Sequence, residues 1–214
     1  MVGVTGQIAA GKSFFVRHFF KNAPVFDADK IVHYLMAHDI ELQRQLQNFF
    51  PDSFVNGVLN RSVLGRKVFA DSTQRRLLEK LIHPLVFKEF EHFLQRQRYA
   101  GSHLVVLDVP LLFESGMQHY CDTTIAIWAP FFIRAQRLYK RNGSGKAMLR
   151  QIDKSHWSMV KKNQMADIVL SSGLGTSQTN KFWNKTFLEK NKHARYCAGY
   201  RNHRFITRSR AQNR

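Results

Sequence analysis

The chain has 214 residues, and its 33 Lys and Arg outnumber its 15 Asp and Glu, which gives a formal net charge of +18. This length fits one domain, with room for an inserted subdomain. An apolar fraction of 44%, with 18 Phe, is enough to form a core and excludes a disordered chain or a fibrous repeat.

The first residues and the cysteine content predict a protein of the reducing cytoplasm. Met1 to Thr5 do not resemble a secretory signal, and no apolar run approaches the roughly 18 residues that a membrane-spanning helix needs. The two cysteines, Cys121 and Cys197, argue against a disulfide scaffold. We therefore expect a cytoplasmic location without membrane association.

The positive charge is concentrated in the C-terminal part of the chain. Residues 1–133 hold 14 basic and 12 acidic side chains, whereas residues 134–214 hold 19 basic and three acidic ones. Such a field favours an anionic partner, which could be a polyphosphate ligand, a nucleic acid or an acidic membrane surface. The alternative for the segment from Arg195 onward, where periodicity is lost, is a solvated basic tail.

Short apolar runs alternate along the chain with segments of helical periodicity. The apolar run that ends at Asp108 is typical of a parallel strand covered on both faces. In chain order, the sequence predicts a strand at 2–5, a helix at 12–21, a strand at 25–26, a helix at 31–36, helical blocks at 42–50, 62–70, 74–81 and 85–98, strands at 103–108 and 123–128, a basic helix at 130–141, a turn at 142–145, a polar basic helix to about 164, a strand at 167–170, a glycine turn at 173–175 and a helix at 177–194.

This alternation predicts an α/β fold with a doubly wound parallel sheet. Between residues 38 and 100 only helical periodicity is visible, so this stretch is expected as a helical insertion after the second strand. Pro84 is expected at the first position of the last helix in the insertion, where its missing N–H is tolerated.

A phosphate-binding loop follows the first predicted strand. Residues 6–13, Gly-Gln-Ile-Ala-Ala-Gly-Lys-Ser, match G-x-x-x-x-G-K-[ST] and precede a predicted helix, as this motif requires. Gly6 and Gly11 permit the close backbone approach that lets successive N–H groups surround phosphate oxygens. Lys12 supplies charge to the β- and γ-phosphates, and the Ser13 hydroxyl is placed to coordinate Mg²⁺. The spacing therefore predicts an NTP site of the P-loop type.

Three carboxylates follow predicted strands and are expected near the same crevice. Asp27 and Asp29 come directly after the second strand, where a carboxylate can accept the proton of an attacking hydroxyl. Asp108 ends the next parallel strand and has the context of the carboxylate that holds Mg²⁺ through water. The alternatives are structural: Asp27 or Asp29 could cap a helix, and Asp108 could cap a loop.

Further motifs occur in a fixed order over about residues 3 to 175. They are Gly3-x-Thr5-Gly6, Val25-Phe26-Asp27-Ala28-Asp29, Leu59-Asn60-Arg61 with Leu64 and Val68-Phe69, Leu81-Ile82-His83-Pro84-Leu85, Asp108 to Glu114, Arg137-Leu138 with Arg141-Asn142, and Ala166 to Leu170. The Asp-x-Asp, His-Pro and Pro-Leu-Leu-Phe-Glu segments in this order are specific to one family of small P-loop kinases. The chain resembles the dephospho-coenzyme A (dephospho-CoA) kinases.

This resemblance implies a reaction and a site. ATP, with Mg²⁺, would phosphorylate the ribose 3′-hydroxyl of dephospho-CoA, the last step of coenzyme A synthesis. By the resemblance, the catalytic residues are Asp29 as general base, Lys12 and Arg141. The residues expected to bind ATP are Thr5, Gly6, Ile8, Ala9, Ala10, Gly11, Lys12, Ser13 and Arg137. Those expected to bind the acceptor are Asp27, Asp29, His83, Pro84, Pro110, Leu111 and Glu114, and those expected to hold the metal are Ser13 and Asp108.

The resemblance also implies a division of the chain into functional parts. The nucleotide-binding core would comprise residues 1–37, 101–134 and 166–194. Residues 38–100 would bind the acceptor, residues 135–165 would form a lid that carries Arg137 and Arg141, and residues 195–214 would form the basic tail.

The chain departs from the family pattern at several positions. Gln7 and Ala9 stand where the family often has Gly, and Ala9 and Ala10 fit the loop if their φ is negative. His156 takes the place of a glutamine that usually precedes a basic residue, here Lys162. Ser171 and Ser172 follow the last strand, where an asparagine normally helps to bind adenine.

Two other functions remain open on the sequence alone. One keeps the fold but changes the acceptor to a nucleoside monophosphate or a small sugar. The other is a basic nucleic-acid-binding protein with a vestigial NTP site, suggested by the C-terminal charge. No helix-turn-helix, zinc-finger or RNA-binding-sheet signature supports the second function, so no specific nucleic acid is expected as a partner.

Overall fold

The computed structural model of the protein describes residues 1–143 and 146–173, together with Lys181 and Trp183. The predicted helix at 177–194, the tail at 195–214 and most of the glycine turn at 173–175 lie outside these residues. The strands are β1 (Val2–Gly6), β2 (Val25–Asp27), β3 (Phe54–Val55), β4 (Val58–Leu59), β5 (Val106–Asp108), β6 (Thr123–Trp128) and β7 (Ile168–Ser171). The helices are α1 (Lys12–Phe19), α2 (Ala28–His38), α3 (Ile40–Phe49), α4 (Arg61–Ala70), α5 (Ser72–Tyr99), α6 (Phe131–Asn142), α7 (Lys146–Ser155) and α8 (Met159–Met165), with short 3₁₀ turns at Pro51–Ser53 and Met117–Tyr120.

Five strands form one sheet in the order β2-β5-β1-β6-β7, and every neighbouring pair is parallel. All residues of β1 and β5 are buried, as expected for strands covered on both faces. The α/β prediction is therefore confirmed. Because the strands are parallel, their C-terminal ends meet at one edge, and Asp27 lies opposite Asp108 in the register of β2 and β5.

Two apolar clusters fix the helices on the sheet. One packs the 38–100 segment against β2 and β5 through buried side chains that include Phe26, Leu46, Phe90 and Leu107. The other joins β1, β6 and β7 to α1, where the Trp183 ring packs on the ring of Phe15. Burial of large apolar side chains on both faces makes the sheet a rigid support for the residues at its C-terminal edge.

The expectation that residues 38–100 are entirely helical is wrong. Strands β3 and β4 form an antiparallel hairpin around Asn56 and Gly57, whose φ angles are 51° and 76°. Asn-Gly between apolar residues is the sequence signal of such a turn, so this hairpin was readable from the sequence.

Pro84 is not at the start of a helix. It lies inside α5, a helix of 28 residues, although proline cannot donate a hydrogen bond to the carbonyl four residues earlier. Ile82, Val86 and Phe90 bury one face of α5 on both sides of Pro84, and this packing holds the helix together.

Other predicted boundaries also change. The predicted strand at 103–108 is reduced to β5, and the single basic helix expected before residue 164 is divided into α7 and α8. Ser158 begins α8 by accepting a hydrogen bond from the Lys161 N–H at 3.3 Å. Among the described residues, none of the helices combines the length and hydropathy that a membrane span requires.

Candidate active site

The phosphate-binding loop connects β1 to α1 at the C-terminal edge of the sheet. Gly6 is required because a Cβ at this position would lie 2.5 Å from the carbonyl oxygen of Ile127 on the neighbouring strand. Gly11 precedes α1 with a φ of 93°, in the left-handed region that favours glycine. The loop therefore has glycine at the two positions where a side chain would prevent this path of the backbone.

Ala9 and Ala10 were expected to fit the loop if their φ is negative. The φ of Ala10 is negative, but that of Ala9 is not. The φ of Ala9 is 58°, so this alanine occupies the left-handed region. Ile8 and Ala9 pack against an apolar cluster of α6 and α7 formed by Ala135, Leu138 and Leu149. Ala9 therefore combines an unfavourable φ with packing against α6 and α7.

Lys12 and Asp108 form an ion pair in which both side chains are almost entirely buried. Burial raises the pKa of the Asp108 carboxyl, the Lys12 ammonium opposes this effect, and the negative charges of Asp27 and Asp29 add to it. The phosphate loop and the three predicted carboxylates are therefore electrostatic neighbours, as the sequence predicted from their places after parallel strands.

Asp27 and Asp29 have different environments at the start of α2. Asp27 is the N-cap of this helix: its Oδ1 accepts a hydrogen bond from the Lys30 N–H at 3.1 Å. Asp29 lies in the first turn and is exposed. The capping alternative thus holds for Asp27, while the Asp29 carboxylate is accessible to a substrate.

The segment Pro110 to Glu114, which follows β5, is held by buried polar groups. The Pro110 carbonyl accepts hydrogen bonds from the Thr5 hydroxyl at 2.8 Å and from the Lys162 ammonium at 2.7 Å. Glu114 pairs with Lys162 at 3.0 Å, and Leu111 is partly buried. Thr5 therefore contacts the predicted acceptor segment as well as preceding the phosphate loop.

Arg137 connects α6 to the phosphate loop. Its guanidinium donates to the Ala9 carbonyl at 3.3 Å and to the hydroxyl and carbonyl oxygens of Ser172, both at 2.9 Å. Ser172, which stands where the family has asparagine, in turn donates from its hydroxyl to the Ala10 carbonyl. Arg141 lies one turn further along α6 and is exposed.

Some predicted site residues lie outside the contacts that join the phosphate loop, the carboxylates and Arg137. His83 and Pro84 are exposed on α5, and Ser13 is exposed at the start of α1. Ser13 lies in the first turn of α1, and Arg141 lies on α6, which contacts the loop through Arg137. His83 and Pro84 contact neither the loop nor the carboxylates through any hydrogen bond or ion pair recorded among the described residues.

Sequence reasoning missed an ion pair that joins α6 to α7. Arg134, which is 4% exposed, makes two hydrogen bonds to Asp153, at 2.9 and 2.7 Å. Gln7 of the phosphate loop also donates to Asp153, at 3.4 Å. The spacing of Arg134, Arg137 and Arg141 on one helical face was the available signal. No sequence pattern indicated Asp153, which lies 19 residues from Arg134 along the chain.

The residues at the sheet edge fit Mg²⁺ bound together with a nucleotide. Among the described residues there is no group of three or more His, Cys, Asp or Glu that could hold a metal alone. Magnesium in nucleotide sites usually takes only one or two protein oxygens, because phosphates and water complete its shell. The Ser13 hydroxyl and the Asp108 carboxylate are oxygen donors of this kind.

The site has a phosphate loop between β1 and α1, carboxylates after β2 and β5, and basic helices that contact the loop. These features define a P-loop kinase. The family model for dephospho-CoA kinase matches residues 1–177. The chain belongs to the dephospho-CoA kinase family.

Individual relatives agree with the family model. A dephospho-CoA kinase of Mesorhizobium japonicum is 35% identical over 176 residues, which cover 82% of this chain and 88% of the relative. A dephospho-CoA kinase of Zymomonas mobilis is 37% identical over 175 residues, which cover 81% of this chain and 87% of the relative.

Solved structures support the same fold. The protein TT1252 from Thermus thermophilus superposes with a TM-score of 0.77 at 28% identity, over 88% of this chain and 96% of that one. Dephospho-CoA kinase from Campylobacter jejuni superposes with a TM-score of 0.62 at 23% identity, over 90% of this chain and 98% of that one. The family model and the relatives confirm the resemblance found in the sequence, and the solved structures agree with the fold.

Proposed function

We propose that the protein transfers the γ-phosphoryl group of ATP to the ribose 3′-hydroxyl of dephospho-CoA, with Asp29 as the general base. The observation that carries this assignment is the parallel register of β2 and β5, which sets Asp27 opposite Asp108. The accessible Asp29 follows Asp27 by two residues, and Asp108 is paired with Lys12 of the phosphate loop. A base and a phosphate site at one sheet edge are what an in-line transfer requires.

The phosphate loop and Lys12 hold the β- and γ-phosphates in this proposal. Lys12 leaves its ion pair with Asp108 when it binds phosphate oxygens, so the two side chains exchange partners as ATP enters. Mg²⁺ neutralises charge on the phosphates, and the Ser13 hydroxyl and the Asp108 carboxylate would hold it. Binding of ATP and release of Asp108 from Lys12 are then a single event.

The acceptor hydroxyl loses its proton to Asp29 as its oxygen attacks the γ-phosphorus. The bond between the γ-phosphorus and the oxygen that bridges to the β-phosphate breaks, and ADP leaves. Arg137 is already anchored beside the loop, and Arg141 supplies further positive charge near the transferring group. We assign residues 135–165 as the lid. We assign residues 38–100, together with the segment Pro110 to Glu114, as the part that binds the acceptor.

Paired asparagine variants at Asp29 and Asp27 test these roles. Asp29→Asn keeps the shape but cannot take the proton, so kcat is expected to fall about a hundred- to ten-thousandfold with ATP binding retained. Asp27→Asn is the matched control because asparagine is as good an N-cap as aspartate. Similar kcat values for Asp29→Asn and the parent would exclude Asp29 as the base. A large loss confined to Asp27→Asn would transfer the role to Asp27.

A further inference from the structure

Lys162 on α8 is an unusual residue because its side chain is only 1% exposed. Lysines are almost never fully buried unless the ammonium group is paired. The ammonium of Lys162 has two partners, the Pro110 carbonyl at 2.7 Å and the Glu114 Oε1 at 3.0 Å. Burial lowers the pKa of Lys162, and the Glu114 carboxylate opposes this shift. Both partners belong to the segment after β5.

Each partner of Lys162 is held by a second donor from another element. The Pro110 carbonyl also accepts from the Thr5 hydroxyl of β1 at 2.8 Å. Glu114 Oε1 also accepts from the backbone N–H of Trp157, just before α8, at 3.2 Å. Lys162 thus completes a buried network that fixes the acceptor segment between the strand leading to the phosphate loop and the last helix of the lid.

One atom of this network is unsatisfied. Glu114 Oε2 is buried and has no hydrogen-bond partner among the described residues. A buried carboxylate oxygen without a donor is costly, and a donor that arrives with the acceptor would remove this cost. Dephospho-CoA carries hydroxyl and amine groups that can donate such a hydrogen bond.

We propose that Lys162 is a positioning residue for the acceptor: it orients Glu114 so that the free carboxylate oxygen accepts a hydrogen bond from a hydroxyl or amine of dephospho-CoA. This inference rests on the proposed function. Lys162 is proposed to act on the acceptor through Glu114 and not on the reacting atoms. Removing the ammonium takes one donor from the Pro110 carbonyl and the ion-pair partner from Glu114, while the Arg137 contact with the phosphate loop stays in place.

Steady-state kinetics with separate variation of the two substrates test the proposal. Lys162→Met and Glu114→Gln are each expected to lower kcat/KM for dephospho-CoA about ten- to hundredfold, mainly through KM, which is the effect of one hydrogen bond to a charged group. The Kd of ATP, titrated directly, is expected to stay within about twofold. Lys162→Arg, which keeps the charge, should recover part of the loss. Lys21→Met, the same substitution at an exposed position, is the matched control.

The double variant Lys162→Met/Glu114→Gln separates positioning from a general structural role. If Lys162 acts through Glu114, the double variant loses about as much kcat/KM as either single variant. Additive losses, or losses equally large in ATP affinity, would overturn the proposal. If Lys162→Met does not fold by circular dichroism, the comparison of Lys162→Arg with Glu114→Gln decides: an unchanged KM for dephospho-CoA in both contradicts the inference.

Failure of the inference and failure of the proposed function give different results. A wild-type enzyme that phosphorylates dephospho-CoA, together with a folded Lys162→Met variant of normal KM, rejects only the role of Lys162. A wild-type enzyme that does not phosphorylate dephospho-CoA rejects the proposed function itself.

Discussion

Replacing Gly6 by Ala introduces a methyl group where the backbone of β6 already lies. The new Cβ would be 2.5 Å from the Ile127 carbonyl oxygen and 3.3 Å from the Ile127 carbonyl carbon. Gly6 and Ile127 are partners in the parallel register of β1 and β6, so relief of the overlap requires the two central strands to separate. Backbone atoms cannot rotate away as the end of a flexible side chain can.

The cost follows from this geometry. Overpacking of a filled core costs about 1–3 kcal/mol, and a contact with rigid backbone lies at the upper end, about 2–3 kcal/mol. For a chain of this length, each kcal/mol shifts the melting temperature by about 2–4 °C. We therefore expect Gly6→Ala to lower the melting temperature by about 4–12 °C and to weaken ATP binding, because the phosphate loop begins at this residue.

Gly65→Ala is the matched control for this prediction. Gly65 lies in α4, and the nearest atom to an added Cβ, Phe69 Cε2, is 3.9 Å away. Alanine is a better helix former than glycine by about 1 kcal/mol, so this variant should be slightly more stable than the parent. Thermal unfolding followed by circular dichroism measures both. If Gly6→Ala melts within 1 °C of the parent, the close approach of β6 does not explain the glycine.

Two further predictions concern α7 and the segment that follows it. Burial lowers the pKa of His156 from 6.5, Lys162 adds to this effect and Glu114 opposes it. The unfolded chain therefore takes up a proton at a higher pH than the folded one. The free energy of unfolding is expected to fall as the pH drops below about 6.5. His156→Gln should flatten this part of the curve of stability against pH, measured by urea titrations. Equal slopes for His156→Gln and the parent would show that His156 does not cause the pH dependence. Asp153→Ala leaves the buried Arg134 guanidinium without its bidentate partner and should cost about 3 kcal/mol of unfolding free energy, whereas Glu41→Ala, which breaks the exposed pair with Arg44, should cost less than about 1 kcal/mol. Similar losses for the two variants would show that burial of the Arg134 pair adds nothing.

The parts of the fold that were predictable depend on local patterns. The strand, the glycines, Lys12 and the following helix are adjacent in sequence, so their spacing alone identifies the phosphate loop. Asp27 and Asp108 could be placed together because parallel strands bring their C-terminal ends to one edge. The Asn56-Gly57 hairpin had a local signal too, but helical periodicity on both sides concealed it.

The features that sequence reasoning missed depend on packing between distant segments. Pro84 remains inside a helix because tertiary contacts on both sides outweigh the lost hydrogen bond. Lys162 is 52 residues from Pro110, and the family pattern marks it only as a basic position, without indicating that its side chain is buried there. The pairing of Asp153 with Arg134 likewise depends on how α6 and α7 pack in the folded chain.

The identity of the acceptor can be measured directly. Purified wild-type protein, with Mg²⁺ and ATP, should be assayed for ADP formation with dephospho-CoA, AMP, shikimate and gluconate under identical conditions, and the position of the new phosphate in the product should be determined by NMR. The proposed reaction predicts turnover on dephospho-CoA far above that on the other three acceptors, with the phosphate on the ribose 3′-oxygen. Equal or faster turnover on AMP, or a phosphate at any other position, would contradict it.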